Sequence, residues 1–241
     1  MLAVAAIATV RVLELDRTHL VPWLTSAPVV TAFLSGNTTL FIALALALAW
    51  RFRDRTRLVV AGVATAATLK LWPIALVTWL WLSGRRRAAS SVLTVTAAAI
   101  FGPWAAIGFR GLTDYPAMLS DMSHQFARNG SWLITWLVET GLPYRAASGI
   151  ALLAAAVLVG VAALRIADRA RFSLVTAAGI TATATPWLHY FCLLVLPFSG
   201  LSWLLLPALW IPLDAARVFG HVLLQESGRV LGSFSLRVRS F

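Results

Sequence analysis

LVVAGVATAATLKLWPIALVTWLWLS, residues 58–83, is an apolar stretch with one charged side chain, Lys70, near its middle. About 20 apolar residues cross a bilayer core once, so this stretch is long enough for one crossing. Both of its flanks, however, are rich in arginine, and short arginine-rich loops stay in the cytoplasm. The stretch therefore predicts a broken hairpin with Lys70 at its apex. Leu58–Leu69 forms a helix that leaves the cytoplasmic side, Trp72-Pro73 interrupts the helix, and Ile74–Ser83 forms a second helix back to the same side.

Composition places the whole chain among membrane proteins. It is 60% hydrophobic and 12% charged, with a mean hydropathy of +0.83, whereas soluble domains are about 25% charged. The net charge of +11 comes from arginines in short strips between apolar blocks, which is typical of topology signals and not of a nucleic-acid surface. Cys192 is the only cysteine, so no intramolecular disulfide or thiolate metal cluster is expected. We predict an all-α fold, a polytopic transmembrane helical bundle with short broken hairpins, and no metal, cofactor or nucleic-acid partner.

The arginine strips predict which ends of the helices face the cytoplasm. The stretch Arg110–Arg145 differs from them because its three Arg balance two Asp and one Glu, and we therefore place it on the extracytoplasmic face. We expect a transmembrane helical domain over residues 1–212 and a basic cytoplasmic tail, amphipathic or disordered, over residues 213–241. The strips are Arg11–Arg17, Arg51–Arg57, Arg85–Arg87, Arg165–Arg171 and the tail after Pro212.

Two more apolar stretches lie between basic strips and predict further broken hairpins. Ser35–Thr39 interrupts the first, between Leu20–Leu34 and Leu40–Trp50, and Thr185–His189 interrupts the second, within Phe172–Pro212. All three apexes then point away from the cytoplasm. The other segments are simpler. Met1–Leu13 is the remaining part of a transmembrane helix, and Trp132–Val138 lies in the membrane interface. Ala88–Phe109 crosses the membrane outward, and Ala147–Leu164 crosses it back to the cytoplasmic side.

This topology gathers polar side chains on the outer face, where they form a candidate anion site. A lysine offers a compact charge with three donors, an arginine offers a planar fork, and amides or hydroxyls complete the hydrogen bonding. Each of these residues could instead have a purely structural role. Lys70 could pair with a buried polar group, and His189 could be a buried core residue whose hydrogen bonds are made within the protein. Asn37 could form a turn, and the loop residues could be exposed to water without a function. The predicted phosphate-binding residues are Lys70, Arg128, His189 and Asn37, with support from Asn129, Ser131 and His124.

Several short motifs follow one another in an order that resembles glycosyltransferase family 87. They are Gly36-Asn37 before a leucine- and alanine-rich helix, Ala61-Gly62 followed by Thr68-Leu69-Lys70-Leu71-Trp72-Pro73 and Arg85-Arg86-Arg87, then Arg128-Asn129-Gly130-Ser131, and Thr185-Pro186-Trp187-Leu188-His189-Tyr190. The resemblance covers about residues 20 to 210. Members of this family commonly have Gln at the position of Asn37, which keeps the amide on a longer side chain.

The resemblance implies a multispanning plasma-membrane enzyme of the actinobacterial mannosyltransferase and arabinosyltransferase type. Such an enzyme takes a hexosyl group from a polyprenyl-phosphate sugar donor and passes it to a cell-envelope glycolipid or glycan on the outer face, without a metal. In this mechanism a carboxylate deprotonates the acceptor hydroxyl while Lys70 and Arg128 stabilise the charge on the departing phosphate.

The catalytic base is the main departure from the family pattern. In relatives it lies in a first outer loop that precedes the part represented here, so we expect this chain to be a C-terminal portion, truncated at the N-terminus. If the chain is complete, Asp114, Asp121 or Glu139 would have to substitute. The rival hypothesis is a non-catalytic lipid-linked-sugar binding protein or transporter that uses the same anion site.

Overall fold

The computed structural model describes residues 1–14, 21, 23–127, 133–183 and 188–193. These residues form helices and turns and contain no strand, which confirms the predicted all-α class. The α-helices are α1 (Leu2–Leu13), α2 (Ala27–Leu34), α3 (Thr39–Arg51), α4 (Thr56–Leu69), α5 (Leu76–Leu82), α6 (Arg86–Ala106), α7 (Tyr115–Phe126), α8 (Leu133–Glu139), α9 (Tyr144–Ala162) and α10 (Asp168–Thr181), and two 3₁₀-helices span Trp72–Ala75 and Leu188–Leu193.

The helix breaks at Lys70, where the sequence predicted an apex. α4 ends at Leu69, and Lys70 itself is extended, with φ −149° and ψ 133°. A 3₁₀-helix follows with Pro73 in its first turn, a position that tolerates proline because that N–H would have no helical partner. α5 then runs back: Asp54, just before α4, pairs with Arg85, just after α5, at 3.2 Å. The two halves therefore form an antiparallel hairpin.

Three arginine strips meet at one end of the helices, which we call the basic end (the loops 51–57, 84–87 and 163–171). Asp168, the first residue of α10, joins them. Its carboxylate accepts hydrogen bonds from Trp79 Nε1 at 2.9 Å and from Ser83 Oγ at 2.5 Å, and it pairs with Arg85 at 3.0 Å and with Arg53 at 3.6 Å. The ends of α3 and α5 and the start of α10 are thereby held next to one another.

The surroundings of Asp168 keep it ionised. Burial alone would raise the pKa of Asp168, but the hydrogen bonds from Ser83 and Trp79 and the charge of Arg85 outweigh burial and hold the pKa of this carboxyl below its ordinary value. At the same end, Glu14 after α1 pairs with Arg51. α1 therefore also points its C-terminus toward the basic end.

Aromatic and small side chains fill the interior next to the basic end. The rings of Trp79 and Phe172 meet edge to face with centroids 4.8 Å apart, and Trp50 lies 5.1 Å from Phe172. Deeper in the bundle, α4 approaches α3 closely at Gly62, where a Cβ atom would lie 2.5 Å from the carbonyl oxygen of Ala45. Only glycine permits that spacing between the two helices.

Two helices, α6 and α9, are long and apolar enough to cross a membrane, and both lie where the sequence predicted simple crossings. Only 22% of each apolar window is buried within the structure. Large apolar side chains such as Phe101, Leu152 and Val157 are exposed on them. An apolar surface of this extent is typical of a protein that contacts lipid or another protein there. Together with the composition, these helices indicate a membrane protein. The domain boundary predicted at residue 212 and the tail 213–241 lie outside the described residues.

Candidate functional site

The ammonium group of Lys70 lies at the centre of a small polar cluster. Nζ donates hydrogen bonds to Asn37 Oδ1 at 2.9 Å and to Thr39 Oγ1 at 3.1 Å, and it lies 3.4 Å from His189 Nε2. The ring of Tyr190 sits beneath it, with the centroid 4.2 Å from Nζ. We call Lys70, Asn37, Thr39, His189 and Tyr190 the lysine cluster.

The lysine cluster lies at the end of the helices opposite to the basic end. α3 begins at Thr39 and ends at Arg51, and α4 begins at Thr56 and ends at Leu69, so one end of each helix carries arginines and the other carries the cluster. At 1.5 Å per residue these helices are about 20 Å long. The break at Lys70, the turn before α3 and the 3₁₀-helix Leu188–Leu193 thus meet at one apex.

The turn before α3 fixes the orientation of the Asn37 amide. Its Oδ1 accepts hydrogen bonds from the backbone N–H of Thr39 at 3.1 Å and from the Thr39 hydroxyl at 2.7 Å, in addition to the bond from Lys70. Gly36, at φ +61°, supplies the left-handed backbone that this turn requires. Since Oδ1 faces inward, the Nδ2 group, which makes no hydrogen bond within the described residues, offers two N–H donors beside the ammonium.

His189 and Tyr190 close the cluster from the other side. Both side chains are buried, and their rings meet nearly at right angles with centroids 5.0 Å apart. A charged lysine has no lone pair, so His189 Nε2 faces it as an acceptor and the imidazole proton lies on Nδ1. The π face of Tyr190 also attracts a cation. The oxygens of Asn37 and Thr39, the imidazole of His189 and the ring of Tyr190 therefore all present electron-rich groups to Nζ.

The charge of Lys70 has no anionic partner among the described residues. Its four contacts, Asn37, Thr39, His189 and Tyr190, are all neutral. The carboxylates of Glu14, Asp54 and Asp168 pair with arginines instead. Charges that are partly removed from water are usually paired, because desolvation is costly. The lysine cluster thus holds a cation in place without neutralising it, an arrangement suited to an anionic ligand.

The surroundings of the cluster combine polar and apolar surface. Ser35 and Gly36 are exposed next to Asn37. On the other flank Leu69 and Leu71 are 42% and 62% exposed on either side of Lys70. A ligand with an anionic head and a hydrocarbon chain would find partners for both parts here.

The structure places the other predicted residues apart from the lysine cluster. Asp114 precedes α7 and Asp121 lies on it, both exposed, and Glu139 is the last residue of α8. The ring of His124 packs against Tyr144 with centroids 4.3 Å apart. None of these four is among the contacts of Lys70. The predicted residues Arg128, Asn129 and Ser131 lie outside the described residues.

Sequence reasoning singled out three members of the lysine cluster and missed two. Thr39 belongs to the predicted Ser35–Thr39 turn, and Tyr190 directly follows His189 in one of the motifs. Neither residue was predicted to belong to the site. A signal was present in the sequence: an Asn two residues before a helix-starting Thr is typical of an Asx turn, in which the carboxamide oxygen accepts from that residue's backbone N–H. In the described parts of the chain no group of three or more His, Cys, Asp or Glu side chains could hold a metal ion.

Comparison with known protein families identifies the family of this chain. The sequence model of glycosyltransferase family 87 matches residues 1–197, which include every member of the lysine cluster. No curated protein and no solved structure matches the chain. Because the matched region covers well over half of the 241 residues, the chain belongs to glycosyltransferase family 87.

Proposed function

We propose that this glycosyltransferase transfers a hexosyl group, with mannosyl as the leading candidate, from a polyprenyl-phosphate sugar donor to a cell-envelope glycolipid or glycan. The observation that carries the proposal is the uncompensated charge of Lys70. A phosphate diester between a sugar and a polyprenyl chain has one negative charge and a long hydrocarbon tail. The negative charge of this donor is complementary to the ammonium of Lys70, which is held among neutral groups. Its hydrocarbon tail is complementary to the exposed leucines on both sides of Lys70.

The lysine cluster would act on the leaving group. As the bond between the anomeric carbon and the phosphate oxygen breaks, negative charge builds on the phosphate. Lys70 stabilises that charge at short range, and the two N–H donors of Asn37 add hydrogen bonds to it. His189 and Tyr190 hold the ammonium in position. Arg128, with support from Asn129, Ser131 and His124, is proposed as a second contact to the same phosphate.

The acceptor hydroxyl requires a base, and Asp114, Asp121 and Glu139 are the candidates in this chain. All three belong to the stretch Arg110–Arg145 between the two long helices. A carboxylate that serves as base is needed for transfer but not for donor binding. Replacing each acid by its amide and measuring donor binding and sugar transfer separately identifies the base: that variant keeps binding and loses transfer.

We also place the lysine cluster on the extracytoplasmic face of a multi-pass plasma-membrane protein. The arginine strips support this orientation because they collect at the basic end, about 20 Å of helix away from the cluster. α6 leaves the basic end at Arg86, and α9 returns to it, since Asp168 beyond α9 pairs with Arg85. The stretch between these helices then lies on the same side as the lysine cluster.

The alternative function is binding or transport of the same lipid-linked sugar without catalysis. One observation favours it: no carboxylate of the described residues contacts the lysine cluster. The two functions are separated by assaying the purified chain with polyprenyl-phosphate mannose in membranes that lack the endogenous enzyme. Transfer by the wild type that is lost in Lys70→Met supports the glycosyltransferase, whereas donor binding without transfer supports the alternative.

A further inference from the structure

Helix α7 carries an exposed apolar face that no function discussed so far uses. Tyr115, Met118, Leu119 and Met122 recur at the spacing of one helix face, and they are 41%, 48%, 42% and 45% exposed. No residue of α7 is buried. The opposite face carries polar or small side chains, with Ala117, Ser120, Asp121 and His124 on it.

Both ends of α7 are attached to the two long apolar helices. At its start, the ring of Tyr115 meets that of Trp104, in the last turn of α6, with centroids 6.2 Å apart. At its end, the ring of His124 meets that of Tyr144, the first residue of α9, at 4.3 Å. α7 is about 18 Å long, so it bridges the ends of α6 and α9 that lie away from the basic end.

This attachment sets the direction of α7 relative to a membrane. The end of α6 and the start of α9 lie on the same side of the bilayer if both helices cross it, and a helix that connects those two ends runs along the membrane plane. At that depth Tyr and Trp rings are favoured, because their amphipathic rings fit the boundary between headgroups and acyl chains. An apolar face on a helix in this plane is buried when it turns toward the acyl chains.

We infer that α7 is an interfacial helix whose face of Tyr115, Met118, Leu119 and Met122 lies in the outer surface of the lipid bilayer. The partner is the lipid phase itself. On the acceptor side of the protein, the opposite face of α7, with Ser120 and Asp121, then faces water. This inference depends on the membrane orientation and not on donor binding or on sugar transfer.

Spin labels on single cysteines test the inference in the full chain reconstituted into liposomes. In a Cys192→Ser background, labels at Met118→Cys and Met122→Cys probe the apolar face, and labels at Ala117→Cys and Ser120→Cys are the matched controls on the same helix. Collision rates with oxygen, which concentrates in lipid, and with a water-soluble nickel chelate are measured for each label. All four positions are exposed, so the labels should not disturb the fold.

The logarithm of the oxygen-to-nickel ratio should be positive at the first two positions and negative at the two controls. A negative value at all four positions would mean that α7 is surrounded by water and would overturn the inference. Low collision rates with both reagents at positions 118 and 122 would overturn it as well, because they would show that protein covers this face. A repeat with Leu119→Cys guards against a local effect of one label.

Discussion

Asn37→Asp adds the anion that the lysine cluster lacks. In the wild type, Asn37 Oδ1 lies 2.9 Å from Lys70 Nζ, so the carboxylate of the variant would form an ion pair with Lys70 without moving either backbone. The change also removes the Nδ2 group and its two N–H donors. The variant should therefore become more stable and, at the same time, lose its affinity for an anionic ligand.

The size of the loss can be worked out from this geometry. Two anions that each lie 2.9 Å from one ammonium, at a tetrahedral angle, are about 4.7 Å apart. Their repulsion is about 3.5 kcal/mol at an effective dielectric constant of about 20, which corresponds to roughly 300-fold in affinity. Solvent at the half-buried Lys70 weakens the repulsion, and we expect donor affinity to fall by roughly 30- to 300-fold.

The assay compares three proteins in detergent at fixed ionic strength: wild type, Asn37→Asp, and Asn37→Gln as the control that keeps the amide. Binding of polyprenyl-phosphate mannose is titrated, and the midpoint of thermal unfolding is measured without donor. The aspartate variant should unfold at a higher temperature, with a gain of about 1 kcal/mol, and the glutamine variant should bind within about tenfold of wild type. Unchanged donor affinity in Asn37→Asp would refute the reasoning.

Three further predictions concern packing, pH and topology. Gly62→Ala places a Cβ atom 2.5 Å from the carbonyl oxygen of Ala45, and it should lower the free energy of unfolding by about 1–3 kcal/mol in chemical denaturation. The lowered pKa of Asp168 adds stability that is fully present above its unfolded-state pKa and is lost as the pH falls through its folded-state pKa. The thermal midpoint of Asp168→Asn should accordingly lie below that of wild type at neutral pH, and the difference should shrink below about pH 4; a difference that does not change with pH would contradict this. In a Cys192→Ser background, a cysteine at Ser120 should react with an impermeant maleimide on intact cells and one at Ser83 should not, and labelling at Ser83 would refute the hairpin.

The hairpin around Lys70 could be predicted because its causes are local. Basic strips on both flanks predict that its two ends lie on one side of the membrane, and Pro73 cannot supply a helical N–H. The structure breaks the helix at that point. The meeting of Asn37, Lys70 and His189 followed from the same logic, since each lies at or next to an apex and the apexes share one side.

Other features depend on contacts between segments that are distant in sequence. Asp168 is one acid inside an arginine strip, and nothing near it in the sequence shows that Trp79 and Ser83 would donate to it from more than 80 residues away. The ring of Tyr190 under the ammonium depends on how the 3₁₀-helix Leu188–Leu193 packs against the other two apexes. A tyrosine next to a predicted site residue does not show by itself which way its ring faces.

We propose that Lys70 binds the donor phosphate while it is charged. Lys70→Met keeps the approximate length of the side chain and removes the charge, and Lys70→Arg keeps the charge on a planar group that cannot occupy the same compact position. Because Lys70 stands apart from the arginines of the basic end, neither variant disturbs the ion pairs there. Folding of each variant is checked by its thermal midpoint.

The decisive measurement is the equilibrium affinity of wild type and Lys70→Met for polyprenyl-phosphate mannose, in detergent at fixed ionic strength. A lost hydrogen bond to a charged group is worth about 1.5–3 kcal/mol, so Lys70→Met should bind roughly 10- to 150-fold more weakly, and Lys70→Arg should also bind more weakly than wild type. If Lys70→Met binds the donor as tightly as wild type, Lys70 is a structural lysine and the account of the site is wrong.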